Sequence, residues 1–245
     1  MDEQCPDEAH MRREDCKQEL VEAIQLFAEL GYGEGVAGQF SVRDPDNPGC
    51  YWVNPFRMDF YHVKVRDLLC VGPHGVVVAG RGTLSPGLDS LHGALYRVRP
   101  DLAAFAHAHS LYGKAWSALG RPLDPITQDA CALHGRHSVY AQYGGLVNNR
   151  QEGKEVAATM GSGNAVILQN HGFLTGGRSV AEAAWLFVVM ERAAQVQLLA
   201  EAAGTPVVIP HDVAEPTAET LVANLEYVEL QFRNLYQTTC LRRRP

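Results

Sequence analysis

The chain has 245 residues, 46% of them hydrophobic, which suits one large α/β domain or two small ones with a substantial core. Lys+Arg 21 against Asp+Glu 28 gives a net charge of -7, which argues against a nucleic-acid surface, and Arg242-Arg243-Arg244 reads as a solvated tail. No apolar run approaches the ~18 residues needed to span a bilayer, and the acidic start Met1-Asp2-Glu3-Gln4-Cys5 lacks a secretion signal's apolar segment, so a cytoplasmic protein without membrane or nucleic-acid partners is expected.

Apolar residues at Leu20, Val21, Ile24, Phe27 and Leu30 recur with a helical period, predicting a helix over 13–31 that Gly31 and Gly33 terminate. Residues 39–43 alternate as a strand, and the turn cluster 44–49 leads into a second strand at 51–53, completing a hairpin. Another hairpin joins 68–71 to 76–79 through Gly72-Pro73-His74-Gly75. A helix over 90–98, a strand over 105–109, a helix over 152–160, a buried strand at 165–168 and a long helix over 180–204 follow. Pro206 and Pro210 end that helix, and one more is predicted over 218–236. No repeat, low-complexity tract or flexible linker divides the chain, so a single domain over 1–245 is expected, with a core at about 20–204 and a C-terminal extension at 205–245. Hairpins followed by helix and strand alternation imply a mixed sheet with helices on both faces, whose ligand site must open at strand ends.

The six cysteines (Cys5, Cys16, Cys50, Cys70, Cys131 and Cys240) form no Cys-x-x-Cys pair, which opposes a zinc ribbon and a disulfide framework. Histidines carry the stronger signal. On an extended strand, positions i and i+2 share a face, so His107 and His109 of Ala106-His107-Ala108-His109-Ser110 emerge side by side. A third imidazole, His171, follows the buried run 165–168 in a Gln169-Asn170-His171-Gly172 turn. Paired histidines also occur as satisfied polar groups on half-buried strands, and the spacing alone leaves that reading open beside a metal site.

The stretch from Leu91-His92-Gly93-Ala94-Leu95-Tyr96-Arg97-Val98-Arg99-Pro100-Asp101 into the His pair resembles the helix and strand of the class II aldolase/adducin family, and Gln169-Asn170-His171-Gly172 resembles that family's second metal motif. The similarity runs from about Leu20 to about Gly204. It implies an α/β fold, a three-layer α/β/α sandwich around a mixed, largely antiparallel sheet, with His107, His109 and His171 as metal ligands. It also implies a divalent cofactor, Zn(2+) first and Fe(2+) as the alternative, a small-molecule substrate, and a homotetramer with sites near subunit boundaries.

Three departures bear on chemistry. The family's aldolases carry a glutamate four residues before the helix histidine matched here by His92, and that position is Leu88. Either Asp89 substitutes, although it points about 100° away on a helix, or it is a first-turn residue favoured by the helix dipole. The aldolases' tyrosine acid maps by ungapped counting to Gln128, and their Gly-Asn-x-Ser turn and Ser-Ser pair become Gly38-Gln39-Phe40-Ser41 and Pro86-Gly87, so Gly38, Gln39 and Ser41 are candidate substrate contacts but a phosphorylated sugar is not expected. His92 is a candidate catalytic or orienting residue as well as a structural one. Tyr112 and Lys114 are substrate-contact candidates, while Cys131 and the His134-Gly135-Arg136-His137 loop read better as a buried thiol and a solvated loop.

The expectation is a metal-dependent lyase, an aldolase or decarboxylase, acting on a small non-phosphorylated oxo- or hydroxy-acid. A non-haem Fe(II) oxygenase or oxidative decarboxylase on an aryl-pyruvate-like acid is the alternative, and a non-catalytic adducin-like module the third reading.

Overall fold

The computed structural model describes residues 6–145 and 150–241; Cys5 and Arg242-Arg243-Arg244 lie outside them. Its strands are β1 (Gln39–Arg43), β2 (Tyr51–Val53), β3 (Leu69–Val71), β4 (Val77–Ala79), β5 (Ala104–Ala108), β6 (His137–Tyr140), β7 (Ala165–Leu168) and β8 (Gly172–Gly177). They form one sheet in the order β4-β3-β2-β1-β5-β8-β7-β6. Every neighbouring pair is antiparallel except β6 with β7. The helices are α1 (Pro6–Glu29), α2 (Ala94–Val98), α3 (Leu111–Ser117), α4 (Arg150–Met160), α5 (Val180–Ala203), α6 (His211–Ala223) and α7 (Leu225–Tyr236).

Strand alternation divides the interior into two cores. Phe40, Ala104, Ala106, Ile167 and Phe173 face one side, where Ile24 and Phe27 of α1, Ala184 and Phe187 of α5 and Phe232 of α7 cover them. Tyr51, Phe105, Val166 and Leu174 face the other, against Leu91, Leu95 of α2 and Val156 of α4. This is the expected α/β/α sandwich. Each fully buried large side chain contributes about 1.5–3 kcal/mol, and the alanines of β5 let the long α5 lie close to the sheet.

Helix α5 is, on length and composition, apolar enough to cross a bilayer, contrary to the expectation that no such segment exists. Here it is the central helix of the first core. Two strands and one helix were not predicted. β8 holds three glycines among six residues, which weakens any strand pattern, and β6 and α3 are only 4 and 7 residues long. The expected 218–236 helix is two helices broken at Asn224, whose side chain caps α7 by accepting the Tyr227 N–H at 3.2 Å. Pro210 is the residue before α6 rather than only a stop. The expected 90–98 helix begins as a single π turn, Asp89–Gly93, before continuing as α2.

Candidate metal centre

His107 is set by the ladder. It lies in register with Gln39 of β1 and Leu174 of β8, on the face opposite Ala106 and Ala108. His109 stands just beyond the end of β5, and His171 in the turn between β7 and β8. That turn is closed by Asn170 with a left-handed φ of 58° and by the His171 N–H donating to the Leu168 carbonyl at 3.0 Å. Gly172 permits the close approach of the two strand ends, since a Cβ there would lie 2.9 Å from the Ala108 carbonyl oxygen.

The three rings meet edge to face, with centroids 5.1 Å apart for His107–His109 and 4.7 Å for each of the other pairs. His109 Nε2 and His171 Nε2 are 2.9 Å apart, and one nitrogen from each ring falls within 4.8 Å of the others. The Phe173 carbonyl can only accept, so His107 Nδ1 must be the donor of their 2.8 Å bond, leaving its Nε2 lone pair free. Burial lowers the pKa of all three, reinforced at His107 by the other two imidazoles, at His109 by the Lys114 charge, and at His171, which falls to about 4, by His109. Three neutral imidazoles with converging lone pairs fit a divalent ion.

Helix α3 begins directly after His109 and is pinned by a carboxylate from α5. Glu191, 2% exposed, accepts from the Ser110 hydroxyl at 2.5 Å, the Tyr112 N–H at 2.9 Å and the Gly113 N–H at 2.8 Å. It thus caps a helix whose own Ser110 side chain does not. Burial raises the Glu191 pKa while these three bonds oppose the rise. Sequence reasoning missed Glu191, although a carboxylate directly after the apolar run 183–190 was a visible signal.

A cleft of about 290 Å³ opens over the imidazoles. Gly38, Gln39, Phe56, Ser85, Gly87 and Leu91 are among its lining residues, and among the described residues no lysine or arginine lines it. Gln39 Nε2 donates to the Ser85 hydroxyl at 2.7 Å, while its Oε1 is buried without a partner. Ser85 was not anticipated. Lys114, which does not line the cleft, donates to Glu34 at 2.6 Å, and both charges act on His109. Glu34 was not anticipated either.

The other candidates lie elsewhere. Leu88 is in the second core, just ahead of the π turn, while Gly87 and Leu91 line the cleft over the imidazoles. Asp89 pairs with Arg97 at 3.4 Å and lines a different cleft. Ser41 is fully buried between His92 Nδ1 at 2.7 Å and the Tyr96 hydroxyl at 2.9 Å, closed off from the cleft by the core. Tyr112 meets Gln195 through its hydroxyl at 3.1 Å, and Gln128 is exposed ahead of the turn Asp129–Leu133. Cys131 is buried in that turn. His137 opens β6 rather than lying in a solvated loop, donating to the Leu133 carbonyl and accepting the Leu123 N–H.

The model of the Class II Aldolase and Adducin N-terminal domain matches residues 18–198. The decarboxylase NovR of Streptomyces niveus is 38% identical over 83% of this chain and 76% of its own. The 4-hydroxy-3-prenylphenylpyruvate oxygenase/4-hydroxy-3-prenylbenzoate synthase of Streptomyces roseochromogenus subsp. oscitans is 38% identical over 83% and 74%. Among solved structures, L-fuculose 1-phosphate aldolase from Glaciozyma antarctica PI12 superposes with a TM-score of 0.87 at 35% identity, over 94% of this chain and 90% of that one.

Two predictions follow from buried polar groups. Replacing Glu191 by Ala strands three donors, each costing about 1–3 kcal/mol when unsatisfied; urea unfolding should show a loss of about 3 kcal/mol or more, and the Gln variant, which keeps one acceptor oxygen, a smaller one. His92 is fully buried and its pKa falls to about 3. Below the unfolded-state value of about 6.5, the unfolded chain takes up a proton that the native chain refuses until about pH 3. Stability therefore falls as pH drops through that window, by up to ~1.4 kcal/mol per pH unit for this histidine. Urea titrations between pH 7 and pH 5 should give a shallower fall for His92→Asn, and parallel curves would refute the assignment.

Proposed function

The chain belongs to the class II aldolase and adducin family, and on that footing we propose that it is a divalent-metal-dependent carbon–carbon lyase of decarboxylase or aldolase type, acting on a small non-phosphorylated oxo- or hydroxy-acid. The observation that carries this reading is the convergence of His107, His109 and His171 on a cleft that, among the described residues, no lysine or arginine lines. Those residues would hold the ion, Zn(2+) in the first instance, which when bound polarises a substrate oxygen as a Lewis acid.

The remaining roles fall to the chain's own groups. The Phe173 carbonyl holds the His107 tautomer, and Glu191 fixes the helix start beyond His109. Gln39, with its unpartnered carbonyl oxygen, and Ser85 can orient the polar end of a substrate. Phe56 and Leu91 favour an apolar or aryl group and exclude water. The helix turn facing the imidazoles presents Gly87 and Leu91, so no carboxylate reaches the cleft from there. Glu34, whose pKa the bond to Lys114 lowers and whose charge acts on His109, is the carboxylate we assign to accept a proton in the exchange.

A second reading is an Fe(2+)-dependent oxygenase or oxidative decarboxylase on an aryl-pyruvate-like acid, favoured by the name of the Streptomyces roseochromogenus relative and by the base-poor, apolar cleft. Three imidazoles in place of two and a carboxylate weigh against it. An adducin-like module without activity has no use for the three imidazoles. We also propose a cytoplasmic homotetramer.

The test is turnover of an aryl-pyruvate by the zinc- or manganese-loaded chain under strict exclusion of oxygen. Carbon dioxide and the shortened product should form; strict dependence on iron and O2 would replace the lyase reading by the oxygenase one. L-Fuculose 1-phosphate should not be cleaved at any metal load, and its turnover would show that the cleft takes a sugar phosphate.

A further inference from the structure

Strand β1 runs from Gln39, at the imidazole cleft, to Arg43, about 13 Å further along. At that far end a second cleft, of about 190 Å³, opens between the start of β2, the loop joining β3 to β4, and the π turn. Arg43, Tyr51, His74, Asp89, Tyr96 and Arg97 are among its lining residues.

The polar groups here do not balance. Arg43 spends its terminal nitrogens on carbonyls, Nη1 on Pro48 at 2.9 Å and Nη2 on Tyr96, Arg99 and Leu102 at 3.2 to 3.4 Å, and its plane lies over the Tyr96 ring. Its Nε–H is buried with no partner. Tyr51 stacks on Tyr96 with centroids 4.8 Å apart, and its hydroxyl is also buried with no partner. A buried donor without an acceptor is costly, and native proteins hold few. The acceptor within the cleft is the Asp89 carboxylate, already shared between Arg97 at 3.4 Å and Arg150 at 3.7 Å. Two guanidinium groups, those of Arg43 and Arg97, therefore line the cleft against one carboxylate among the described residues, and Arg150 reaches that carboxylate from outside the lining. The Tyr51 phenol is pushed up by burial and then by Asp89, and drawn down by Arg97, so both charges act on the unpaired hydroxyl.

Two orphan donors and surplus positive charge in one cleft ask for a ligand that is anionic and rich in acceptors. We propose that this cleft binds a small oxyanion, a carboxylate or a phosphate, which accepts from the Tyr51 hydroxyl and the Arg43 Nε–H and is drawn in by Arg97. Asp89 then positions the Arg97 guanidinium. The site is separate from the imidazole cleft, and it does not depend on the reaction proposed there.

Isothermal titration of the full-length, zinc-loaded chain with inorganic phosphate and, separately, with malonate tests the proposal. At least one should bind saturably, one per chain, and whichever binds identifies phosphate or carboxylate as the source. Tyr51→Phe removes only the hydroxyl and should weaken binding about tenfold, the effect of losing one such hydrogen bond. Arg97→Gln should weaken it as well, and His109→Ala should leave it intact. No saturable binding of either anion, binding indifferent to Tyr51→Phe, or binding that disappears with His109→Ala would overturn the proposal.

Discussion

The antiparallel pairing of β5 with β8 is the constraint on which the site depends. Its register, from Ala104 opposite Gly177 to Ala108 opposite Phe173, delivers the end of β5 to the turn that carries His171. A slip of one residue would turn His107 into the alanine-lined core and Ala106 toward the cleft. That register is held by features with no contact to a ligand: glycine at 172, left-handed Asn170, and the alanines that α5 packs against. The imidazoles are therefore preorganised, and burial keeps them neutral as donors to an ion.

A second layer secures the first. His107 is oriented through a carbonyl of β8 and the segment after His109 through a carboxylate of α5, so the central sheet and the central helix both bear on the centre. Around this frame no lysine or arginine lines the cleft among the described residues, in a fold shared with an L-fuculose 1-phosphate aldolase. Shared architecture with different lining residues is how one fold supports several chemistries.

The three imidazoles were legible because strand period two and the resemblance to a metal motif both pointed to them, and β1, β2 and α5 because their apolar patterns are strong. Other features depended on information that periodicity does not carry. The π turn at Asp89–Gly93 has a wider winding that no apolar pattern announces, and it is Gly87 and Leu91, not Leu88, that line the cleft. Ser41 alternates correctly along β1, but its hydroxyl is consumed by His92 and Tyr96, a pairing set by tertiary packing. Asp89 answers to Arg97 rather than to the centre. Glu191 and Glu34 come from segments about 80 residues distant from their partners in the chain, a separation no local pattern spans.

X-ray absorption at the metal edge of the zinc-loaded chain tests the central claim most directly. The account predicts three imidazole nitrogens at about 2.0–2.1 Å with light oxygen scatterers completing the shell, and one imidazole fewer in His171→Ala. A sulfur scatterer at about 2.3 Å, or a shell unchanged by His171→Ala, would contradict it.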